Sequence, residues 1–146
     1  MLRVLIADDE RIARENMSQY IPWTSLGMEV VDAVENGALA LDILKTVPVD
    51  IMIVDIRMPV MDGLELLENI RSLGLKVLVI VLSAYDRFEY AQKAIQSQLV
   101  FEYVLKPIKR RDFCQLLQKA RKTLEMQDGE AEDEVEPDSL EVLRTR

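Results

Sequence analysis

The chain has 146 residues, 49% apolar and 30% charged, a composition typical of one soluble globular domain. It contains no histidine, which excludes a Ser-His-Asp triad, a histidine metal ligand and a phosphohistidine on this chain. Its single cysteine, Cys114, excludes an internal disulfide and suits the cytoplasm, and no apolar stretch approaches the roughly 20 residues of a membrane span.

The charge is unevenly distributed along the chain. Residues 125–146 carry nine acids and two arginines, a net charge of −7, whereas residues 1–124 carry 17 acids and 16 bases, a net charge of −1. A nearly neutral body with an acidic tail lacks the basic surface that nucleic acid binding requires. We therefore expect neither nucleic acid nor a membrane among the partners of this chain.

Strand patterns alternate with helical patterns five times. The predicted strands are Leu2–Ala7, Met28–Val34, Asp50–Val54, Val77–Leu82 and Glu102–Leu105. Helix starts are marked by the N-cap side chains of Asn36-Gly37 and Asp62-Gly63. Apolar stripes with helical spacing are Ile12, Ala13, Met17 and Tyr20; Leu66, Leu67, Ile70 and Leu73; Phe88, Ala91 and Ile95; and Phe113, Leu116, Leu117, Ala120 and Leu124. This alternation predicts a doubly wound α/β fold, with parallel strands and helices on both faces of the sheet.

The helical pattern decays after Leu124. Residues 127–139 read QDGEAEDEVEPDS, an acidic stretch in which Gly129 and Pro137 interrupt regular structure. We predict one domain at residues 1–124, followed at residues 125–146 by an acidic linker or tail that is disordered or extends the last helix.

Charged side chains follow three of the predicted strands. Asp8 and Asp9 follow the first strand, Asp55 the third, and Lys106-Pro107 the fifth. The carboxyl ends of parallel strands meet at one edge of the sheet, where ligands bind in open α/β folds. Adjacent carboxylates repel each other unless a cation lies beside them, and Mg²⁺ binds through one or two carboxylates, phosphate and water. The pattern therefore predicts a magnesium-dependent phosphoryl acceptor, although Asp8-Asp9 could instead form a turn that caps the next helix.

Asp55 is the candidate nucleophile, because a carboxylate can attack phosphorus to form an aspartyl phosphate. It could also cap the following segment, but the next helix start, Asp62-Gly63, has its own cap. Lys106 could neutralise a phosphoryl oxygen or be an ordinary surface charge, and its bond to Pro107 is a candidate cis peptide. Taken alone, Ser83, after the fourth strand, is best explained as a turn or cap serine, and Tyr103, within the fifth, as a core aromatic residue.

These residues, in this order, resemble the receiver domain of bacterial two-component response regulators. The resemblance covers about residues 1–124, through LIADDE, VDIMIVDIRMPVMDGLELL, VLSAYD and YVLKP. It implies a flavodoxin-like (βα)5 three-layer sandwich with sheet order 2-1-3-4-5. It also implies that Asp55 accepts phosphate from a sensor histidine kinase, assisted by Lys106 and Ser83. The implied Mg²⁺ ligands are Asp8, Asp9, Asp55 and the backbone carbonyl of Arg57, and the implied switch pair is Ser83 and Tyr103.

Two segments, residues 21–31 and 83–91, resemble receivers fused to AraC-type helix-turn-helix output domains. The implied protein regulates transcription through a DNA-binding domain that this chain does not contain. The resemblance also implies a phosphorylation-dependent homodimer through the fourth helix, fifth strand and last helix. The charged residues of that surface are Lys93, Glu102, Lys109, Arg110, Arg111 and Asp112. Residues 96–101 depart from the family pattern, because they lack its usual glycine and are about one residue longer.

Two alternatives remain open. The chain could be a magnesium-dependent phosphatase or phosphotransferase with Asp55 as a transient nucleophile, but such enzymes generally carry an acid two residues later, where Arg57 stands. It could also be a pseudo-receiver that binds partners without phosphorylation. The complete set of acids argues against the pseudo-receiver. We predict a phosphorylation switch that catalyses its own phosphorylation and dephosphorylation but is not an enzyme toward any external substrate.

Overall fold

The computed structural model describes residues 1–84 and 99–135, the last eight of these by their backbone alone. The strands are β1 (Leu2–Ala7), β2 (Met28–Val34), β3 (Ile51–Val54), β4 (Leu78–Ser83) and β5 (Val100–Leu105). The helices are α1 (Arg11–Tyr20), α2 (Gly37–Thr46), α3 (Gly63–Leu73) and a C-terminal helix (Arg110–Val135). The predicted helix with Phe88, Ala91 and Ile95, together with Lys93 and residues 96–98, lies outside the described residues.

The five strands are parallel and lie in the order β2-β1-β3-β4-β5, which confirms the predicted flavodoxin-like topology. Strand β5 begins at Val100, two residues before its predicted start. Val79 pairs with Val100 but Ile80 pairs with Glu102, so Phe101 is an extra residue in the β4–β5 ladder. A β-bulge accommodates such a residue, and this one lies within residues 96–101, the segment expected from the resemblance to be about one residue longer.

Two apolar layers cover the sheet, because alternate residues of each strand point to opposite faces. On one face, strand residues such as Leu5 and Val54 pack against Leu66, Leu67 and Ile70 of α3. On the other face, the contacts with the sheet come from α1, from the loop before β2 and from the C-terminal helix. The buried side chains that supply them are Ile21, Trp23, Leu26, Phe113, Leu117 and Ala120. These two layers establish the predicted three-layer sandwich.

Three residues of the predicted apolar stripes are not in the core. Ile12 is 67% exposed and Tyr20 is 63% exposed, and Leu73 is exposed as well. Successive helical residues are 100° apart, so the packing of Met17 against the sheet leaves Ile12 at the margin of its stripe. Tyr20 and Leu73 are the last residues of α1 and α3, where each helix leaves the sheet.

The predicted caps start the two helices that follow β2 and β3. The Asn36 side chain accepts a hydrogen bond from the Leu39 N–H, and Asp62 forms a reciprocal capping box with Glu65. The first residue of α3, Gly63, approaches the end of β3 so closely that a Cβ atom would lie 2.5 Å from the carbonyl oxygen of Asp55. A side chain at this position would therefore displace the end of β3.

The C-terminal helix continues to Val135, past residue 124. Up to residue 127, its buried residues are the predicted Phe113, Leu117 and Ala120, whereas Leu116 and Leu124 are partly buried. Residues 136–146 of the predicted acidic tail lie outside the described part of the chain. Among the helices that the structure describes, none combines the length and the apolar character that a membrane crossing requires.

Candidate functional site

Three acidic side chains meet at the carboxyl edge of the sheet, where β1 and β3 end. One carboxylate oxygen each from Asp8, Asp9 and Asp55 lies within 4.8 Å of the others. Asp8 is only 1% exposed and Asp55 is buried, whereas Asp9 is exposed. Carboxylate oxygens at this spacing suit a hard divalent cation such as Mg²⁺. The structure thus brings together the three acids that the sequence proposed as metal ligands.

Lys106 links the two buried carboxylates. Its Nζ atom lies 2.7 Å from Oδ2 of Asp8 and 3.3 Å from Oδ2 of Asp55. Its backbone N–H donates to the carbonyl oxygen of Ser83 at 2.8 Å, which fixes the end of β5 beside the end of β4. The peptide bond between Lys106 and Pro107 is cis, as the sequence suggested. The lysine is therefore part of the site rather than an isolated surface charge.

Burial and pairing raise the pKa of two groups at the site, Asp55 and Lys106. Burial raises the pKa of Asp55, the Lys106 ammonium lowers it in part, and the nearby Asp8 carboxylate raises it further, so that the net shift is upward. Burial alone would lower the pKa of Lys106, but its hydrogen bond to Asp8 and the charges of Asp55 and Asp8 raise it above its usual value. The ammonium is consequently fully charged at neutral pH.

Backbone hydrogen bonds hold the acids in place. The N–H of Asp55 donates to Ala7 at 2.9 Å, and the N–H of Asp8 donates to Val34 at 3.0 Å. Oδ1 of Asp55 accepts the N–H of Arg57 at 3.3 Å.

In the described part of the chain the N-cap of α1 is Glu10, which makes no side-chain cap bond, so neither Asp8 nor Asp9 is the N-cap residue of that helix.

The other proposed residues lie around this cluster. Ser83 is the last residue of β4 and is fully buried at the same edge of the sheet. Tyr103 pairs with Val81, two residues before the end of β5, and packs partly buried against the core. The structure therefore places Ser83 at the site and Tyr103 below it.

A cavity of about 580 Å³ lies beside the acids. It is lined by Asp9, Glu10, Asp55, Arg57, Met58, Pro59 and Ala84.

The sequence did not single out Arg14, whose guanidinium donates to the backbone carbonyl oxygen of Asp8 at 2.7 Å. An arginine one helical turn into α1 was the available signal, but the spacing alone does not show which carbonyl it reaches.

Residues 4–118 match the family described as the response regulator receiver domain. The chain belongs to this family. The receiver domain is the signalling module of a two-component response regulator, and its strand order and acidic edge are those of this structure. The match ends at residue 118, inside the C-terminal helix.

Named relatives and solved structures agree with this membership. Transcriptional regulatory protein HptR of Staphylococcus aureus is 41% identical over 108 residues, which are 74% of this chain and 42% of that protein. The receiver chain thus spans less than half the length of that relative. The REC domain of AraT, a response regulator from Geobacillus stearothermophilus, superposes with a TM-score of 0.78 at 41% identity, covering 87% of this chain and 98% of that chain. TrrA from Thermotoga maritima, solved in complex with Mg²⁺-BeF, superposes with a TM-score of 0.69 at 31% identity, covering 82% and 99%.

Proposed function

We propose that this receiver domain is a phosphorylation-controlled switch that accepts a phosphoryl group on Asp55 from a sensor histidine kinase. The observation that carries the proposal is the cluster of Asp8, Asp9 and Asp55 around Lys106. An acidic site that also holds a partly buried ammonium provides for both a cation and a phosphoryl group. TrrA, a structurally similar response regulator, was solved in complex with Mg²⁺-BeF, which supports Mg²⁺ as a ligand of this receiver.

In the proposed transfer, an oxygen of the Asp55 carboxylate attacks phosphorus. A P–O bond forms as the P–N bond of the kinase phosphohistidine breaks, and the histidine leaves with that electron pair. Lys106 moves from pairing with the carboxylates to neutralising a phosphoryl oxygen. Asp8, Asp9, Asp55 and the backbone carbonyl of Arg57 would hold Mg²⁺, which when bound neutralises charge on the transferring group.

The switch is proposed to run from Ser83 to Tyr103. Ser83 is buried at the site, and Tyr103 lies on the neighbouring strand β5. A phosphoryl group on Asp55 draws the Ser83 hydroxyl toward it, and Tyr103 turns inward as β5 adjusts. The output is proposed to be regulation of transcription through an AraC-type DNA-binding domain outside this chain. The protein is proposed to act in the cytoplasm. HptR is named a transcriptional regulatory protein, which supports a transcriptional output.

A homodimer is proposed as the phosphorylated form of the chain. Of the surface concerned, β5 and the C-terminal helix lie in the described residues, and Lys119 of the helix pairs with Glu102 of the strand at 3.9 Å. The mixed charges of this surface suit a two-fold contact. Sedimentation with and without beryllofluoride and Mg²⁺ tests the proposal, which expects more dimer with the phosphoryl mimic. If the chain stays a monomer under both conditions, the dimer proposal is wrong, and the response to phosphorylation must pass through the DNA-binding domain instead.

The direct test is phosphorylation by a small donor. We expect acetyl phosphate and Mg²⁺ to add one phosphoryl mass to the chain, measured by intact mass spectrometry. Asp55→Asn should remove the labelling, because an amide is not a nucleophile. Labelling that persists in this variant, on Asp8 or Asp9, would reassign the acceptor. A wild-type chain that takes up no phosphoryl group but still binds its partners would favour the pseudo-receiver.

The phosphatase alternative makes a different prediction. It requires turnover of an external phosphate ester, with release of inorganic phosphate in excess of the protein. The Arg57 side chain stands where such enzymes carry a second acid. We expect phosphate release from generic esters to stay at background, with at most one phosphoryl group held per chain.

A further inference from the structure

Arg14 is the arginine of α1 that reaches the acidic site. Its Nη1 atom donates to the backbone carbonyl oxygen of Asp8 at 2.7 Å, six residues back along the chain. Its own N–H donates to the Glu10 carbonyl at 3.1 Å, so the residue lies in the first turn of α1. The side chain therefore joins the start of the helix to the turn that carries Asp8 and Asp9.

That turn is held by contacts from three directions. The Asp8 N–H donates to Val34 of β2, and Oδ2 of Asp8 accepts from Lys106. Oδ1 of Asp8 accepts the Glu10 N–H at 2.9 Å, which closes the turn around Asp9. Arg14 fixes the Asp8–Asp9 peptide, because it binds the carbonyl oxygen of that peptide. The direction in which Asp9 leaves the backbone thus depends on the Arg14 contact.

Two contacts tie the beginning of α1 to the acidic turn: the Glu10 N–H donates to Oδ1 of Asp8, and Arg14 donates to the Asp8 carbonyl oxygen. None of the ten residues of this helix, all of which lie in the described part of the chain, is fully buried. The Glu10 side chain makes no cap bond in the part that the structure describes. Near the other end of the helix, the Met17 carbonyl accepts a hydrogen bond from the Trp23 indole N–H at 2.9 Å. The position of the first turn relative to the acids consequently depends in part on Arg14, whose bond adds to that of the Glu10 N–H.

We propose that Arg14 is a positioning residue for the metal site: it orients the Asp8–Asp9 peptide so that both carboxylates face the cation together with Asp55. This inference rests on the proposed Mg²⁺ site. The direction in which Mg²⁺ affinity changes when Arg14 is replaced shows whether the residue acts by positioning the ligands or only through its charge. A guanidinium near the site repels a divalent cation, so its removal would strengthen Mg²⁺ binding if charge alone mattered. Positioning predicts weaker binding instead.

The test is calorimetric titration of the full chain with MgCl₂, well below the melting temperature. We expect Arg14→Met to raise the Mg²⁺ Kd by about 10- to 100-fold, the usual effect of losing a residue that orients metal ligands. Arg14→Lys keeps the charge and a shorter donor, and should recover part of that loss. The matched control is Arg11→Met, which removes the same charge from an exposed side chain of α1 that pairs with Glu15 at 3.5 Å. This control should bind as the wild type does, or slightly more tightly.

Circular dichroism in EDTA shows whether each variant is folded, so a loss of metal affinity is not confused with unfolding. If Arg14→Met does not fold, Arg14→Lys carries the test, with an expected Kd several-fold above that of the wild type. Binding by a folded Arg14 variant that equals or exceeds wild-type affinity would overturn the inference. If the wild type itself binds no Mg²⁺, or Asp9→Ala binds as well as the wild type, the proposed metal site fails together with it.

Discussion

The Nζ atom of Lys106 lies 2.7 Å from Oδ2 of Asp8, although 98 positions separate the two residues. They follow β5 and β1, and strands β3 and β4 lie between those two strands in the sheet. Lys106 reaches across this edge and contacts Asp55 on the way, at 3.3 Å. Two buried carboxylates therefore share one ammonium, whose side chain is 19% exposed.

Lys106→Met should destabilise the metal-free protein. It leaves Asp8 and Asp55 buried without their counter-ion, and the loss of one partner of a buried pair is costly. Because Lys106 is not fully buried, we expect the free energy of unfolding to fall by about 2 kcal/mol, below the range for a fully buried pair. Urea unfolding in EDTA measures it. Lys109→Met, at an exposed position, is the control and should change stability by less than about 0.5 kcal/mol. Equal losses in the two variants would contradict the pairing.

Asp9→Ala should remove the stabilisation of the fold by Mg²⁺. Metal that binds only the native state raises the melting temperature by mass action, and the exposed Asp9 offers the carboxylate that Lys106 does not contact. Glu68→Ala, which removes an exposed acid from α3, is the control and should keep the full response. Thermal melts across an MgCl₂ series decide the point. A wild-type response in Asp9→Ala would place the cation elsewhere.

Asp55→Asn should stabilise the metal-free protein at neutral pH. Because the folded state raises the pKa of Asp55 above its usual value of 3.8, the native protein holds this proton after the unfolded chain has released it. Stability therefore falls as the pH rises from about 4 through the raised pKa. The amide removes this loss, so the variant should be more stable than the wild type at pH 7, and the difference should shrink toward pH 4.

The measurement is urea unfolding of both proteins in EDTA at the two pH values. Lys106 does not complicate the comparison, because its raised pKa keeps its contribution present throughout this range; that contribution is lost only at alkaline pH, as the raised pKa is passed. A stability difference that is the same at pH 4 and pH 7 would show that Asp55 does not titrate as argued.

Gly63→Ala should disturb the end of β3 through the backbone. Its Cβ would lie 2.5 Å from the Asp55 carbonyl oxygen and 2.9 Å from Cα of Ile56, and neither atom can rotate away. We expect a loss of about 2 kcal/mol, within the range for overpacking, together with weaker Mg²⁺ binding. Gly74→Ala is the contrast, because it meets no atom within 4 Å but has a φ of +67°. Its cost should be about 1 kcal/mol, with Mg²⁺ binding unchanged. Chemical unfolding and metal titration test both variants.

Local sequence predicted much of the fold. Both N-caps, Asn36 and Asp62, act where they were expected, because a cap depends on residues three positions apart. Strands β1 and β2 have the predicted bounds, since short Val- and Leu-rich runs between turns carry their own signal. The start of β5 was less predictable, because the bulge at Phe101 depends on pairing with β4.

The sequence by itself determined the chemistry of this protein, because strand ends that carry Asp8, Asp55 and Lys106 meet at one edge in any parallel α/β sheet. Only the tertiary structure decided which of these side chains are buried and which other residues contact them. It buried Asp8 and left Asp9 exposed, and it brought Arg14 to the Asp8 carbonyl. Burial and side-chain reach depend on how helices pack across the sheet, and residue spacing along one segment does not contain that information.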